Sequence, residues 1–234
     1  MSQRLIVLGA GGNAYDVMDI VEALNSIRPT WELRGLLDDR HPPGHEIAGC
    51  RVLGPLAQAT EFPDCLFINA IRNPTTFRIT ADILASTRLE PHRFATLVHP
   101  GACVSSRATV GRGVYVNVGA SVAGNVTLGD HVSLGPLCIV GHDTVVGACS
   151  ILAPGAVVSG GVRLGDRCYV GTGATIRQQV CVGAASMIGM GAVVVHDVAP
   201  GTTVIGNPAR IMHARSTLPC DRAPESAHGD VAVR

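Results

Sequence analysis

From Val98 onward, every sixth residue of this chain is aliphatic. The column runs from Val98 through Val116, Leu134, Leu152 and Ile176 to Val194, seventeen positions without a miss. Four residues after each stands Ala, Val, Ser, Thr or Cys, from Ala102 to Val198. Gly follows the aliphatic at Gly111, Gly129, Gly147, Gly165 and Gly183, a period of eighteen nested on the period of six. The pattern predicts a parallel β coil of three flat faces, six residues to a face and its corner. Successive turns stack at about 4.8 Å, the ordinary interstrand spacing. The aliphatic points inward, and the residue four on must be small because little room is left. Glycines near the corners are expected to relieve backbone strain. One turn alone buries almost nothing, so only the stack is stable. Spacing leaves the handedness open, since parallel crossovers are otherwise right-handed.

Residues 1–92 follow another grammar. A short apolar strand at Leu5 to Leu8 leads into Gly9, Ala10, Gly11, Gly12 and Asn13. Val17, Ile20, Val21 and Leu24 then share one helical face. A second strand, Trp31 to Leu37, ends at Asp38 and Asp39; a third apolar run, Cys65 to Ile71, precedes a helix-like stretch around Thr76 to Ser86. Such alternation predicts a small, Rossmann-like α/β unit with parallel strands. Gly11, Gly12 and Asn13 let a ligand approach the backbone and the helix N-terminus, which favours phosphate. Asp38 and Asp39 are placed to accept hydrogen bonds from a ribose or base. The glycine run lacks the third Gly of the dinucleotide fingerprint. A plain β–α turn and a solvated acidic turn are the competing readings.

Composition narrows the classes. Hydrophobic residues make up 47% and charged ones 15%, ample for a core, yet aromatics are only 3% against 28 Gly. That balance suits a thin repetitive β structure. A formal net charge of zero argues against nucleic-acid or anionic-membrane partners. No apolar run reaches the roughly 20 residues that span a bilayer. The start, Met1 to Arg4, lacks the apolar stretch of a signal peptide, so a cytoplasmic protein is expected. None of the eight cysteines forms a C-x-x-C pair; buried thiols are expected, with Cys138 and Cys168 in small-residue slots. No metal is expected, because three convergent histidines are missing. The polar residues 214–234 read as a disordered tail, leaving 93–213 for the coil.

An α/β unit with Gly9-Ala10-Gly11-Gly12, an Asp pair, then Leu97-Val98-His99-Pro100-Gly101-Ala102 opening a hexapeptide stack is a specific order of parts. It resembles the bacterial sialic acid O-acetyltransferase and nucleotide 4-amino-sugar N-acetyltransferase family of hexapeptide-repeat acyltransferases. The resemblance implies a left-handed β-helix and a homotrimer with acetyl-CoA in the groove between neighbouring prisms. It also implies a small domain that holds a nucleotide-linked sugar, and a His beside an acidic residue as base. Here that pair is His142 and Asp143. The groove positions implied are Ile151, Gly160, Thr172, Met190, Asn207 and Pro208. Four positions depart from the family pattern: Ile151 and Asn13 replace His, Gly135 replaces Asn, and Arg72 replaces Gly beside the sugar-nucleotide pocket.

Four histidines fall in the stack. His131 is expected to be a solvated corner residue and His99 a structural one. His142 and His196 lie 54 residues apart, three full coils, and each precedes an Asp, so spacing does not separate them. His142 is mid-stack, and Gly160 and Gly161 lie one coil above it, where a backbone N–H can serve as an oxyanion site. Imidazole is the side chain that changes protonation near neutral pH, as proton removal from an attacking amine requires. The reading is an acetyl-CoA-dependent N-acetyltransferase for a nucleotide-linked amino sugar, working by direct transfer. Sugar O-acetylation and a non-enzymatic structural β-helix are the alternatives.

Overall fold

The computed structural model describes residues 2–212; the tail expected at 214–234 lies outside them. Its first part is a five-stranded sheet in the order β3-β4-β2-β1-β5. The strands are β1 (Gln3–Leu8), β2 (Trp31–Leu37), β3 (Glu46–Ile47), β4 (Cys50–Gly54) and β5 (Cys65–Asn69). β1, β2, β4 and β5 run parallel, and β3 closes an antiparallel hairpin on β4. Helix α1 (Gly12–Ile27) follows β1 and buries Ala14, Val17, Ile20 and Val21 against the sheet. The expected second helical stretch is a 3-10 turn at Phe77–Ile79 continuing into α2 (Thr80–Ser86). The β3–β4 hairpin has no signal in the apolar pattern.

From Leu97 the chain is a left-handed parallel β-helix. Two-residue strands repeat every six residues, and each pairs with the strand eighteen residues away, as Ser133 and Leu134 do with Ile151 and Leu152. Three sheets result. The first contains Leu97–Val98, Tyr115–Val116, Ser133–Leu134 and Ile151–Leu152; the second begins at Cys103–Val104, the third at Thr109–Val110. The predicted aliphatic column lines the prism: from Val116 to Val194 every member is at most 2% exposed. Each such rung contributes on the order of 1.5–3 kcal/mol. Polar members of the small column are satisfied by carbonyls of the next coil, Thr144 by Ser159, Ser150 by Gly165 and Ser186 by Ala199. Cys138 and Cys168 occupy the same column, where burial pushes each thiol up to about 11.

Gly113, Gly119, Gly155, Gly161, Gly173 and Gly191 take the left-handed corner conformation as expected, while the glycines directly after the aliphatic have a different reason. A Cβ on Gly147 would stand 2.4 Å from the backbone of Gly165 and Asp166, so close approach of the next coil excludes any side chain. The left-handed residue of each corner comes two positions later and tolerates other types, including Asn125, His131 and Asp143.

The α/β part docks on the first sheet of the prism. Leu97 and Tyr115 join the core beneath α1, while Cys149 joins the core beneath Phe67 and Phe94. Arg78 extends farther and donates to the Ala185 carbonyl at 3.0 Å.

Candidate active site

Between the second and third sheets the chain turns through Gly141, His142, Asp143 and Thr144. Thr144 goes inside, and Asp143 takes the left-handed conformation with φ 60°, which Asp tolerates better than most residues. His142 and Asp143 therefore both project outward. The Nδ1 of His142 lies 2.7 Å from Oδ2 of Asp143, and Oδ1 of Asp143 accepts from Nδ2 of Asn125, one coil below, at 2.6 Å. The Asn125 hydrogen bond first, then His142, holds the Asp143 carboxyl below the usual carboxylate range. A carboxylate can only accept, so Nδ1–H donates and Nε2 is left as the basic atom. Gly160 lies against that edge: a Cβ there would be 2.9 Å from both Cε1 and Nε2. The Gly161 N–H is taken by the His142 carbonyl at 2.8 Å. The Gly160 N–H has no partner among the described residues. With 75% of the His142 side chain exposed, the imidazole stands in open water on a single copy.

His196 is not its equivalent. Oδ1 of Asp197 accepts from the Cys181 N–H at 2.8 Å and makes no contact with the His196 ring. His99 is structural, its Nδ1 accepting from the Gly101 N–H at 2.8 Å. His131 corrects the expectation of a solvated corner: its ring meets Phe94 edge to face at 4.5 Å, and Nδ1 is buried without a partner. Burial, then the Arg72 cation, pushes its pKa down to about 4.

A cleft of about 540 Å³ opens at the carboxyl ends of β1, β2 and β5, lined by Gly11, Gly12, Asn13, Arg40, His41 and Arg72 among others. Parallel sheets bind ligands at this end. Helix α1 starts there with no side-chain cap and no acidic residue in its first turn. A Cβ on Gly12 would meet nothing within 4 Å, whereas one on Gly9, at φ +97°, would strike Ile71 at 2.5 Å. Gly9 is thus required by the fold, and Gly12 leaves open backbone. A shallower depression near Ser2, Arg4, Glu32 and Asp64 lies at the opposite strand ends.

Two expectations change at this cleft. Asp38 is 4% exposed, and both its oxygens are engaged, by the N–H groups of Ala10, Arg40 and His41 and by the His41 ring. Burial alone would raise its pKa; these hydrogen bonds outweigh burial and leave it lowered. Asp38 ties the two loops together, with three partners on Oδ1 and one on Oδ2. Oδ1 of Asp39 accepts from the Leu56 N–H, so Arg40 and His41 are the side chains presented to the cleft. Arg72 is 3% exposed and turned inward, donating to the carbonyls of Asn69, His131 and Gly113, with its guanidinium 4.6 Å over the Tyr115 ring. Its carbonyl accepts from Nδ2 of Asn13.

Asn13, Arg72, Gly135 and Ile151, which all depart from the family pattern, line one cavity of about 210 Å³ between α1 and the first sheet. It also holds Asp16, Tyr115, Ser133 and Tyr169, and shares Asn13, Arg72 and Asn73 with the large cleft. These four additional residues escaped the sequence reading. Tyr115, Ser133 and Tyr169 fall with Ile151 in one eighteen-residue column that carries two of the chain's three tyrosines, a spacing that does not by itself mark the column as covered. The remaining groove positions are dispersed on one chain. Gly160 stands at one edge of the second sheet, and exposed Thr172 and Met190 stack at the other. Ile151 is buried on the first sheet, while Asn207 and Pro208 lie in the exposed final loop. Among the described residues no His, Cys, Asp or Glu cluster is arranged to hold a metal, and no helix is long and apolar enough to cross a membrane.

The family described as bacterial transferase hexapeptide (six repeats) matches residues 125–160 and 143–178. No curated protein sequence matches. Among solved structures, the acetyltransferase domain of PglB from Neisseria gonorrhoeae FA1090 is 31% identical with a TM-score of 0.78, covering 90% of this chain and 100% of that one. PerB from Caulobacter crescentus, in complex with CoA and GDP-perosamine, is 27% identical with a TM-score of 0.78, covering 89% and 97%. WeeI from Acinetobacter baumannii AYE is 26% identical with a TM-score of 0.76, covering 90% and 100%. The chain belongs to the hexapeptide-repeat acyltransferases, in the family that joins a small α/β unit to a left-handed β-helix and includes the nucleotide-sugar N-acetyltransferases.

Proposed function

We propose that this protein transfers an acetyl group from acetyl-CoA to the amine of a nucleotide-linked sugar, with His142 as general base. The observation that carries this reading is the relay from Asn125 through Asp143 to His142, which leaves Nε2 free beside Gly160. The acceptor nitrogen attacks the thioester carbonyl carbon while Nε2 takes its proton. The C–S bond then breaks and the coenzyme leaves as the thiol, protonated by the imidazolium. The Gly160 N–H faces the carbonyl oxygen as its charge grows. Holding both substrates in place supplies much of the acceleration, and no covalent enzyme intermediate is needed.

Residues 1–92 hold the sugar nucleotide and residues 93–213 handle the transfer. The diphosphate lies on the glycine loop, and the sugar extends past Asn13 and Asn73 into the smaller cavity. That cavity lies a full face of the prism from His142 in the same chain, so it meets the His142 of a neighbouring copy. Exposed apolar residues on the second sheet and at its edge, Val118, Leu137, Ile139 and Met190, support a homotrimer with shared sites. Acetyl-CoA lies between prisms along Thr172 and Met190, with Asn207 and Pro208 toward its far end. A cytoplasmic place in polysaccharide biosynthesis accords with these substrates. Incubation with acetyl-CoA and GDP-, UDP- or dTDP-linked 4-amino sugars should release thiol and add one acetyl mass to one of them. Failure with every amino sugar, alongside acetylation of a hydroxyl sugar, would replace N- by O-transfer.

A further inference from the structure

The cavity between α1 and the first sheet contains a carboxylate that the fold does not use. Asp16 is half-buried on α1 and lines the cavity. Burial, then the neighbouring Asp19 carboxylate, raises its pKa, and no hydrogen bond or cation lowers it. Arg72 lines the same cavity but is engaged elsewhere, by three carbonyls and the Tyr115 ring. A second group points to a ligand independently. Ser133 is 2% exposed, and its Oγ, with only the Tyr115 phenol beside it, lacks a hydrogen bond of good geometry. A buried polar atom left unpaired is unfavourable unless something binds it. The walls around this polar end are apolar or aromatic: Ile151, Leu152, Pro154 and Tyr169.

We infer that Asp16 is the residue that selects an amine over a hydroxyl acceptor, pairing with the ammonium of the incoming amino sugar while Ser133 Oγ bonds a neighbouring hydroxyl of the ring. The inference rests on the transferase reading above and assigns its acceptor class to a residue. An ammonium brings a full opposite charge to the desolvated carboxylate, whereas an alcohol brings only a dipole. A Cβ on Gly135 would meet the Pro154 backbone at 2.8 Å, the same close approach of the next coil that keeps Gly147 without a side chain. Asp16 holds the resting acceptor as the ammonium, which gives its extra proton to solvent and then attacks as the neutral amine, so the effect falls on binding and not on turnover.

The test uses the full-length protein, the best amino-sugar acceptor from the screen above, and the analogue with a hydroxyl at the same carbon as a competitive inhibitor. Asp16→Asn should raise the KM for the amine about 10- to 100-fold, leave kcat undiminished, and leave the inhibition constant of the hydroxyl analogue within about twofold. Ser133→Ala should weaken amine and hydroxyl compounds equally. Asp19→Asn, on the exposed side of α1, should change KM far less than Asp16→Asn does, by no more than about twofold, and thermal melts should show both Asp variants folded. Equal weakening of amine and hydroxyl by Asp16→Asn would overturn the inference, as would an unchanged KM. Turnover of no amino sugar by the unaltered protein would instead remove the transferase reading on which it rests.

Discussion

The Nδ1 of His142 stands 2.7 Å from Oδ2 of Asp143. Three coils farther, His196 and Asp197 repeat the pair in sequence and not in space, because Asp197 turns to the Cys181 N–H. The difference begins one coil below. Asn125 donates to the far oxygen of Asp143 and turns the carboxylate toward the imidazole. A fixed tautomer with a free Nε2 is what a general base needs.

His142→Ala should therefore lower kcat by roughly 10²–10⁴-fold, the range for a lost acid–base group. His196→Ala should remain within a few-fold of the unaltered enzyme. Both variants should keep the native melting temperature, since each side chain points away from the inner ladder. Steady-state kinetics with both substrates saturating decides; an inactive His196→Ala beside an active His142→Ala would move the site to the C-terminal coil.

Gly160→Ala tests the other edge of the same ring. The backbone at Gly160 is not left-handed, so alanine is tolerated locally, but its Cβ would overlap Cε1 and Nε2 of His142. The ring must rotate away from the acceptor. A displacement of this kind should cost about 10²-fold in kcat, with the melting temperature changed by only a few degrees. A kcat equal to wild type would mean that His142 works from a different rotamer.

The stack was legible because each coil repeats the same packing problem, so its solution repeats in sequence. The seventeen aliphatic positions needed nothing else. The small cavity beneath α1 was not legible in the same way. Tyr115, Ser133 and Tyr169 precede inward-facing residues and so point out of the prism, where the six-residue pattern reads them as surface. They are covered because a separate α/β layer lies on them, which no local pattern encodes. The same layer explains His131, whose corner becomes interior once Phe94 and Arg72 pack on it. Asp38 is a different case. An Asp at a strand end serves a ribose or a loop equally well, and only the positions of the Ala10 and His41 N–H groups decide.

Arg72 should be a structural link between the two parts. Arg72→Met keeps the apolar stem yet removes the donors to three carbonyls, those of Asn69, His131 and Gly113. Leaving such groups buried and unpaired should cost about 3–5 kcal/mol. Urea unfolding should show the α/β part lost at lower denaturant while the β-helix persists. A midpoint like that of the unaltered protein would mean the guanidinium is dispensable to docking.

The half-buried His131 gives this docking a pH dependence whose sign can be worked out. Its folded pKa, about 4, lies below the 6.5 of a free imidazole. Between those values the unfolded chain binds a proton that the folded chain excludes, so stability falls as pH drops through this window and is fully present above about 6.5. The difference amounts to roughly 3 kcal/mol at the acid end. Carboxylates titrate in part of the same range, so the measurement compares the unaltered protein with His131→Asn. Asparagine accepts the left-handed conformation at this corner, φ 59°, as histidine does. Unfolding free energies from pH 7.5 down to 4.5 should fall more steeply for the histidine protein, and the two curves should run parallel above about pH 7. Parallel curves throughout would mean that water reaches the His131 ring and that Phe94 does not seal it.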